Sequence, residues 1–340
     1  MKAMVTGGGG FLGRRLVELL LQEGHEVHFL ARGLYPEVEA LGATSHQVDL
    51  LDAGALPAAM QGIDTVFHVA AKAGVWGRES AYYDVNVRGT GHLITAARQV
   101  GVTRFIYTST PSVVSYDEPI ENGAMDLPYA SHYKAHYPKT KAMAERLVLK
   151  ANCPEMATVS LRPHLIFGPG DPHLLTRFVR STLEGRLRVI GDGLNKVDFT
   201  YVDNAAWAHI DAAHALSDNT APCAGRAYFI SNDEPVSLWG WFNELLEEME
   251  VPRIEKRLPH RKARFLFGLI EWMHRLFPLG EPAVTAFLAD AMATSHWFDM
   301  SPAKQDLGYH VRIPMRDAMG PTSDFLKSTI VDPFLKGSLG

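Results

Sequence analysis

The amino-acid sequence predicts an α/β protein whose doubly wound parallel sheet is followed by a smaller, discontinuous second lobe. Two observations carry the prediction. Through the first half, short β-branched or apolar runs alternate with longer helical patterns, the order of a parallel sheet covered on both faces. Beyond Arg162 and Pro163 that regularity gives way to Gly168-Pro169-Gly170-Asp171-Pro172, Gly191-Asp192-Gly193 and other proline-interrupted stretches. A chain of 340 residues is long enough for two such lobes.

Taken in order, the candidate strands are 2–6, 26–30, 44–48, 64–69, 104–108 and 157–161. Helical segments lie between them over 11–23, 80–100 and 132–151, where apolar residues recur at intervals of three and four. Two later runs, 199–202 and 227–230, also read as strands, so the chain is expected to return to the first lobe. The resulting division is a nucleotide-binding part over 1–162 with a return at about 196–230, a substrate lobe over 163–195 and 231–330, and a tail over 331–340.

Composition narrows the class. Hydrophobic residues make up 46% and charged residues 21%, which suits a folded core rather than disorder. Lys and Arg number 33 against 38 Asp and Glu, a net charge of −5 that argues against a nucleic-acid partner. Cys153 and Cys223 make no disulfide framework, and no Cys/His spacing suggests a metal site, so a reducing cytoplasmic setting is expected. Neither a membrane span nor a signal peptide is expected, and Arg14-Arg15 is not read as an export signal.

Glycines at 7, 10 and 13 in Thr6-Gly7-Gly8-Gly9-Gly10-Phe11-Leu12-Gly13 join the first strand to the first helix. Such a turn lets backbone amides reach a pyrophosphate at a helix N-terminus, the arrangement of a Rossmann-type dinucleotide site. The second strand ends in Ala31-Arg32-Gly33, where an NAD site would carry an acid for the ribose 2′-hydroxyl. Arg32 instead offers a guanidinium to a 2′-phosphate, so NADPH/NADP+ is the expected cofactor.

Tyr137 and Lys141 stand one helical turn apart. An ammonium near a phenol favours the phenolate, which suits proton exchange with a carbonyl or alcohol oxygen. Tyr107-Thr108-Ser109-Thr110 closes the fifth strand where open α/β sheets place their chemistry. On composition alone Ser109, Thr110 and Ser112 all compete to supply a hydroxyl to the substrate oxygen.

Together with Asp49-Leu50, His68-Val69-Ala70-Ala71, Asn86-Val87-Arg88-Gly89-Thr90 and Leu161-Arg162-Pro163, these segments resemble the extended short-chain dehydrogenase/reductases over nearly the whole chain. The resemblance implies Thr110, Tyr137 and Lys141 as catalytic residues. It implies a cofactor site of Gly7, Gly10, Phe11, Leu12, Gly13, Arg32, Asp49, Leu50, Ala70, Ala71, Lys72, Thr108, Tyr137, Lys141 and Pro163, with Asn86 steadying the central strands. More narrowly, Ala70-Ala71-Lys72-Ala73-Gly74-Val75-Trp76-Gly77, Gly191-Asp192-Gly193-Leu194-Asn195 and Tyr201-Val202-Asp203-Asn204 resemble the 3β-hydroxysteroid dehydrogenase-like branch. Within that branch they resemble the bacterial reductases of 2-alkyl-3-oxoalkanoic acids in long-chain olefin biosynthesis. The implied activity is NADPH-dependent reduction of such an acid to its 3-hydroxy acid, with a 3β-hydroxysteroid or sterol dehydrogenase as the alternative. A non-catalytic NADP-sensing scaffold is the alternative from another class. A homodimer is also implied, with 80–100 and 132–151 as its seam, as is association with other olefin-biosynthesis enzymes or a membrane surface.

Among the 15 histidines, His132, His136, His164 and His173 fall near the expected cleft without a ligand spacing, and His68 reads as a packed core residue. Trp76 and Tyr82 could line an acyl pocket or simply pack. Met, Phe and Trp residues of 265–300 read as core, but 261–277 has an apolar arc wider than one core contact requires. That arc suggests an acyl entrance or a membrane-facing surface as well as burial.

Overall fold

The computed structural model describes residues 1–74, 76–114, 118–277, 280–282 and 284–337, so Val75 of the 70–77 motif and residues 338–340 of the tail lie outside the described residues. Within them the alternating first half resolves into seven parallel strands. These are β1 (Lys2–Thr6), β2 (Glu26–Ala31), β3 (Thr44–Gln47), β4 (Thr65–His68), β5 (Arg104–Thr108), β6 (Ala157–Pro163) and β7 (Arg226–Ile230), in the order β7-β6-β5-β4-β1-β2-β3. Strand β1 pairs with both β2 and β4, so successive strands are added in opposite directions on either side of it. That is a topological switch point, and a crevice for ligands opens at the strands' C-terminal ends.

The pleat sorts side chains onto two faces. Along β1, Ala3 and Val5 join one apolar cluster with Leu16 and Val17, while Met4 joins another with Leu93, Ile94 and Val148. Helices Phe11–Gln22 and Val202–Ala215 cover the first face, and Gly89–Val100 and His136–Lys150 serve the second. A small sheet of Ile120–Gly123, Lys196–Val197, Val236–Ser237 and His296–Phe298 organises the remainder of the chain.

Several elements depart from the sequence expectation. The helix predicted from 132 starts at His136, because Ala135 is extended (φ −140°, ψ 157°) and Pro138 occupies the first turn, where its missing N–H costs nothing. Residues 80–100 form helix from Glu79, but Asp84–Arg88 is a π-helical turn that carries Asn86. The strand over 199–202 is only Thr200–Tyr201 and pairs with Ile166–Phe167, outside the main sheet. Finally, the Met, Phe and Trp residues of 265–300 are not uniformly core. Phe298 and Met300 are buried, but Phe265, Trp272, Met273 and Phe277 are exposed because helix His260–Leu276 packs mainly on Ala286–Ala293 and leaves its far side bare.

Candidate active site

The turn after β1 is shaped by what its glycines exclude. Gly7 has φ +72°, and a Cβ on Gly13 would stand 2.1 Å from the Gly7 carbonyl oxygen. Only glycine therefore lets helix Phe11–Gln22 close onto the turn. Gly10 caps that helix without a side chain, and its first turn carries no acid. Free amides at the positive end of a helix, backed by a wall in which any Cβ would collide, fit the pyrophosphate of a dinucleotide. Phe11 lies beside Gly170, whereas the Leu12 side chain is buried in the core.

At the end of β2 the Arg32 side chain is exposed, and among the described residues no carboxylate pairs with it. Its carbonyl accepts a hydrogen bond from Gln47 Nε2 at 3.0 Å. Asp49 Oδ1 accepts from the Leu51 amide, and the buried Leu50 offers its carbonyl to His92 Nδ1. Beyond β4, the Ala70 amide donates to Thr6 Oγ1, and Ala71 and Lys72 follow, partly exposed.

The π-helical turn presents Asn86 to that loop. Its Oδ1 accepts the Lys72 amide at 2.7 Å while its Nδ2 donates to the Lys72 carbonyl and to Thr140 Oγ1. Asn86 thus ties the loop after β4 to the helix carrying Tyr137 and Lys141. His68 lies beneath, bridging Thr6 and Thr90 at 2.8 Å each. Thr90 spends its own proton on the Asn86 carbonyl, so His68 donates from Nε2 and accepts at Nδ1. Burial, reinforced by Lys141, pushes this imidazole down to about 3 and keeps it neutral.

Tyr137 sits in the first turn of its helix, half-buried. Burial pushes its phenol up to about 12, and a hydrogen bond with Thr110 draws it back. Lys141 is only 2% exposed; its Nζ donates to the Thr108 carbonyl at 2.5 Å and lies 4.1 Å from the Tyr107 ring centroid. Burial lowers its amine to about 7, with Glu145 pulling the other way. The group drawing the phenol toward ionisation here is therefore Thr110, with Lys141 directed to the strand.

The three competing hydroxyls separate in space. Ser109 is buried, its amide on the Leu161 carbonyl at 2.6 Å, whereas Thr110 is partly exposed and meets Ser112 Oγ at 3.0 Å. Thr108 Oγ1 is engaged with His209 Nε2 at 2.7 Å. One turn past Lys141, Glu145 anchors the helix to β6 by accepting from Arg162, Tyr129 and Ser160. Burial raises that carboxyl, but Arg162 outweighs it and holds the group below its usual range.

Next to Thr110 and Tyr137 in sequence, Ser112 and Pro138 line a small cleft of about 30 Å³ together with His132, Lys134, Phe287 and Asp290. Pro163 ends β6 nearby in sequence, and His164 after it starts a buried chain that sequence reading missed. His164 Nδ1 meets Asp198 at 2.5 Å, its Nε2 meets His296 Nδ1 at 3.1 Å, and His296 Nε2 donates to the Ala291 carbonyl. No local signal could have found partners 34 and 132 residues away. His136 stands 3.9 Å from Glu79, and the His173 amide donates to Asp171. Tyr82 is fully buried with its hydroxyl on the Trp76 carbonyl, which is packing rather than pocket lining.

Comparison with known proteins agrees with this geometry. The 3-beta hydroxysteroid dehydrogenase/isomerase family model matches residues 4–260. The 2-alkyl-3-oxoalkanoate reductase of Stenotrophomonas maltophilia is 45% identical over 94% of this chain and 97% of its own. The mouse sterol-4-alpha-carboxylate 3-dehydrogenase, decarboxylating, is 35% identical over 94% of this chain and 90% of its own. In fold, the chain superimposes on UDP-glucuronic acid 4-epimerase from Bacillus cereus, solved in complex with NAD, with a TM-score of 0.75, 24% identity and coverage of 96% and 99%. A glycine turn that fits a dinucleotide, a tyrosine held to a threonine by a hydrogen bond and a match over three quarters of the chain lead to one conclusion: this chain belongs to the 3-beta hydroxysteroid dehydrogenase/isomerase family, oxidoreductases of the extended short-chain dehydrogenase/reductase type that work with a nicotinamide cofactor.

Proposed function

We propose that this enzyme uses NADPH to reduce a 2-alkyl-3-oxoalkanoic acid to the 2-alkyl-3-hydroxyalkanoic acid, a step of long-chain olefin biosynthesis. The observation that carries this reading is the near full-length similarity to a 2-alkyl-3-oxoalkanoate reductase, in a chain whose Thr110 and Tyr137 are joined by a hydrogen bond. Thr110 donates a hydrogen bond to the substrate's 3-oxo oxygen, and Tyr137 delivers the proton that turns this oxygen into a hydroxyl. Lys141 secures the cofactor ribose, and the hydrogen bond with Thr110 favours the phenolate when Tyr137 has given up its proton. Glycines 7, 10 and 13, with Phe11 and Leu12, form the pyrophosphate turn. Asp49 and Leu50 flank the adenine, Ala70, Ala71 and Lys72 the ribose and pyrophosphate, Thr108 the Lys141 amine and Pro163 the nicotinamide. When bound, the reduced nicotinamide supplies the hydride to the substrate's third carbon.

Arg32 supports NADPH over NADH, since a solvent-facing guanidinium with no described carboxylate partner stands where a 2′-phosphate would be read. In this reading 1–162 with the return at about 196–230 binds the cofactor, and 163–195 with 231–330 receives the substrate. The active form is a cytoplasmic homodimer along 80–100 and 132–151, peripheral to a membrane and able to associate with other enzymes of the pathway.

A sterol substrate is the second reading, favoured by the mouse relative. Both names describe a carboxylate one carbon removed from the oxygenated carbon, so a β-oxygenated acid is the chemistry they share. Measuring NADPH oxidation with a long-chain 2-alkyl-3-oxo acid, beside NADP+ reduction with a 3-hydroxysterol 4-carboxylate, decides between them. Faster turnover of the oxo acid is expected. Preference for the sterol acid overturns the substrate assignment, and no turnover of either points to the scaffold.

A further inference from the structure

A surface helix ordinarily turns its apolar stripe inward. Helix His260–Leu276 does the reverse. Ala263 and Phe267 join the core, whereas Phe265, Leu266, Leu269, Trp272, Leu276 and the adjoining Phe277 are all exposed, Phe265 by 71%. At 100° per residue those six positions share an arc of about 140° on the solvent side. Arg261, Arg264 and Arg275 border the arc, and Lys262 enters it at the first turn. Arg261 and Arg264 also rim a shallow groove floored by Phe265, Gly268 and Leu269.

Charge identifies what covers this face. The helix carries four Arg and Lys residues against one acid, Glu271, which already accepts from Arg275 and from the Ala286 amide. Among the described residues no carboxylate pairs with Arg261 or Lys262. A second copy docked by two-fold symmetry would present the same basic, acid-poor helix and leave those cations opposed to one another. An anionic phospholipid surface answers both demands, since acyl chains take the apolar arc and headgroup phosphates take the flanking guanidinium and ammonium groups. With 17 residues the helix is about 25 Å long and lies flat, and no described helix is long and apolar enough to cross a bilayer.

Its position gives the contact a purpose. Near its C-terminal end, His274 meets Trp76 of the loop after β4 edge-to-face at 6.3 Å. At its start, His260 Nε2 bonds Asp290 on the cleft wall at 2.8 Å. The helix thus spans from the loop beyond β4 to the cleft. We propose that His260–Leu276 beds in the headgroup layer of an anionic phospholipid membrane and seats the cleft at that surface, where a long-chain substrate partitions.

Co-sedimentation of the full chain with phosphatidylcholine vesicles, with and without phosphatidylglycerol, tests this. Binding is expected to be at least about tenfold tighter with phosphatidylglycerol, given the worth of each basic residue near a charged bilayer. The Phe265→Ser, Leu269→Ser, Trp272→Ser variant should lose binding to both vesicles with an unchanged melting temperature, because those side chains are exposed. The Arg261→Gln, Lys262→Gln, Arg264→Gln variant should lose the phosphatidylglycerol preference. Failure of the wild type to bind either vesicle, or undiminished binding by the serine variant, overturns the proposal. So does a lipid-free dimer that the serine variant dissociates, which assigns the face to a second copy.

Discussion

Lys141 and Phe265 occupy the places their side chains would ordinarily exchange: the amine is 2% exposed and the phenyl ring 71%. Around Lys141 the buried polar groups answer one another, the amine on the Thr108 carbonyl, His68 between two threonines, Glu145 among Arg162, Tyr129 and Ser160. Around Phe265 the apolar surface has no such answer. Burying an amine costs stability and lowers its proton affinity, to about 7. Exposing rings also costs stability, and a contiguous exposed apolar patch marks a surface that meets something outside the chain. Each region thus departs from the ordinary rule at a cost to stability.

The sharpest way to break this contrast is to remove the proposed proton donor. Tyr137→Phe keeps the ring and its packing, so turnover should fall by roughly 100- to 10,000-fold while NADPH titration shows binding nearly intact. A near-normal rate would remove Tyr137 from the chemistry. Arg32→Ala should come next: its Michaelis constant for NADPH should rise about tenfold to a hundredfold, the worth of a charge-assisted hydrogen bond, with NADH little affected. Equal effects on both cofactors would mean that Arg32 never meets a 2′-phosphate.

In the outer region, Phe265→Ser with Leu269→Ser should raise the Michaelis constant for long acyl substrates by at least about tenfold while sparing short ones, since each large apolar side chain is worth roughly 1.5 to 3 kcal/mol when fully covered. A loss for both lengths alike would separate this face from substrate handling. The effect on stability rather than on turnover lies in its pH dependence. Lys141 titrates near 7 in the folded chain and at 10.5 in the reference state, so between those values the unfolded chain holds the extra proton and stability climbs with pH. Melting temperatures of the wild type relative to Lys141→Met should therefore rise from pH 7 to pH 10. A flat difference would mean that the buried amine carries no such penalty.

Much of this architecture is legible in the order of the amino acids. Glycines at 7, 10 and 13 and the alternation of strand and helix are local patterns, and a tyrosine and a lysine four residues apart share a helical face whatever surrounds them. Tertiary structure decided what each face meets. Neighbouring residues at a strand's end point to opposite sides, so Ser109 went into the core and Thr110 to a partly exposed position beside Tyr137. Asp198, His164 and His296 became one hydrogen-bonded chain only through folding, because nothing local couples residues that far apart. The arc on 261–277 could be read from periodicity, but its exposure could not. Periodicity records which side chains lie together on a helix, and only the packing of neighbouring elements determines whether that side is given to the core or to the solvent.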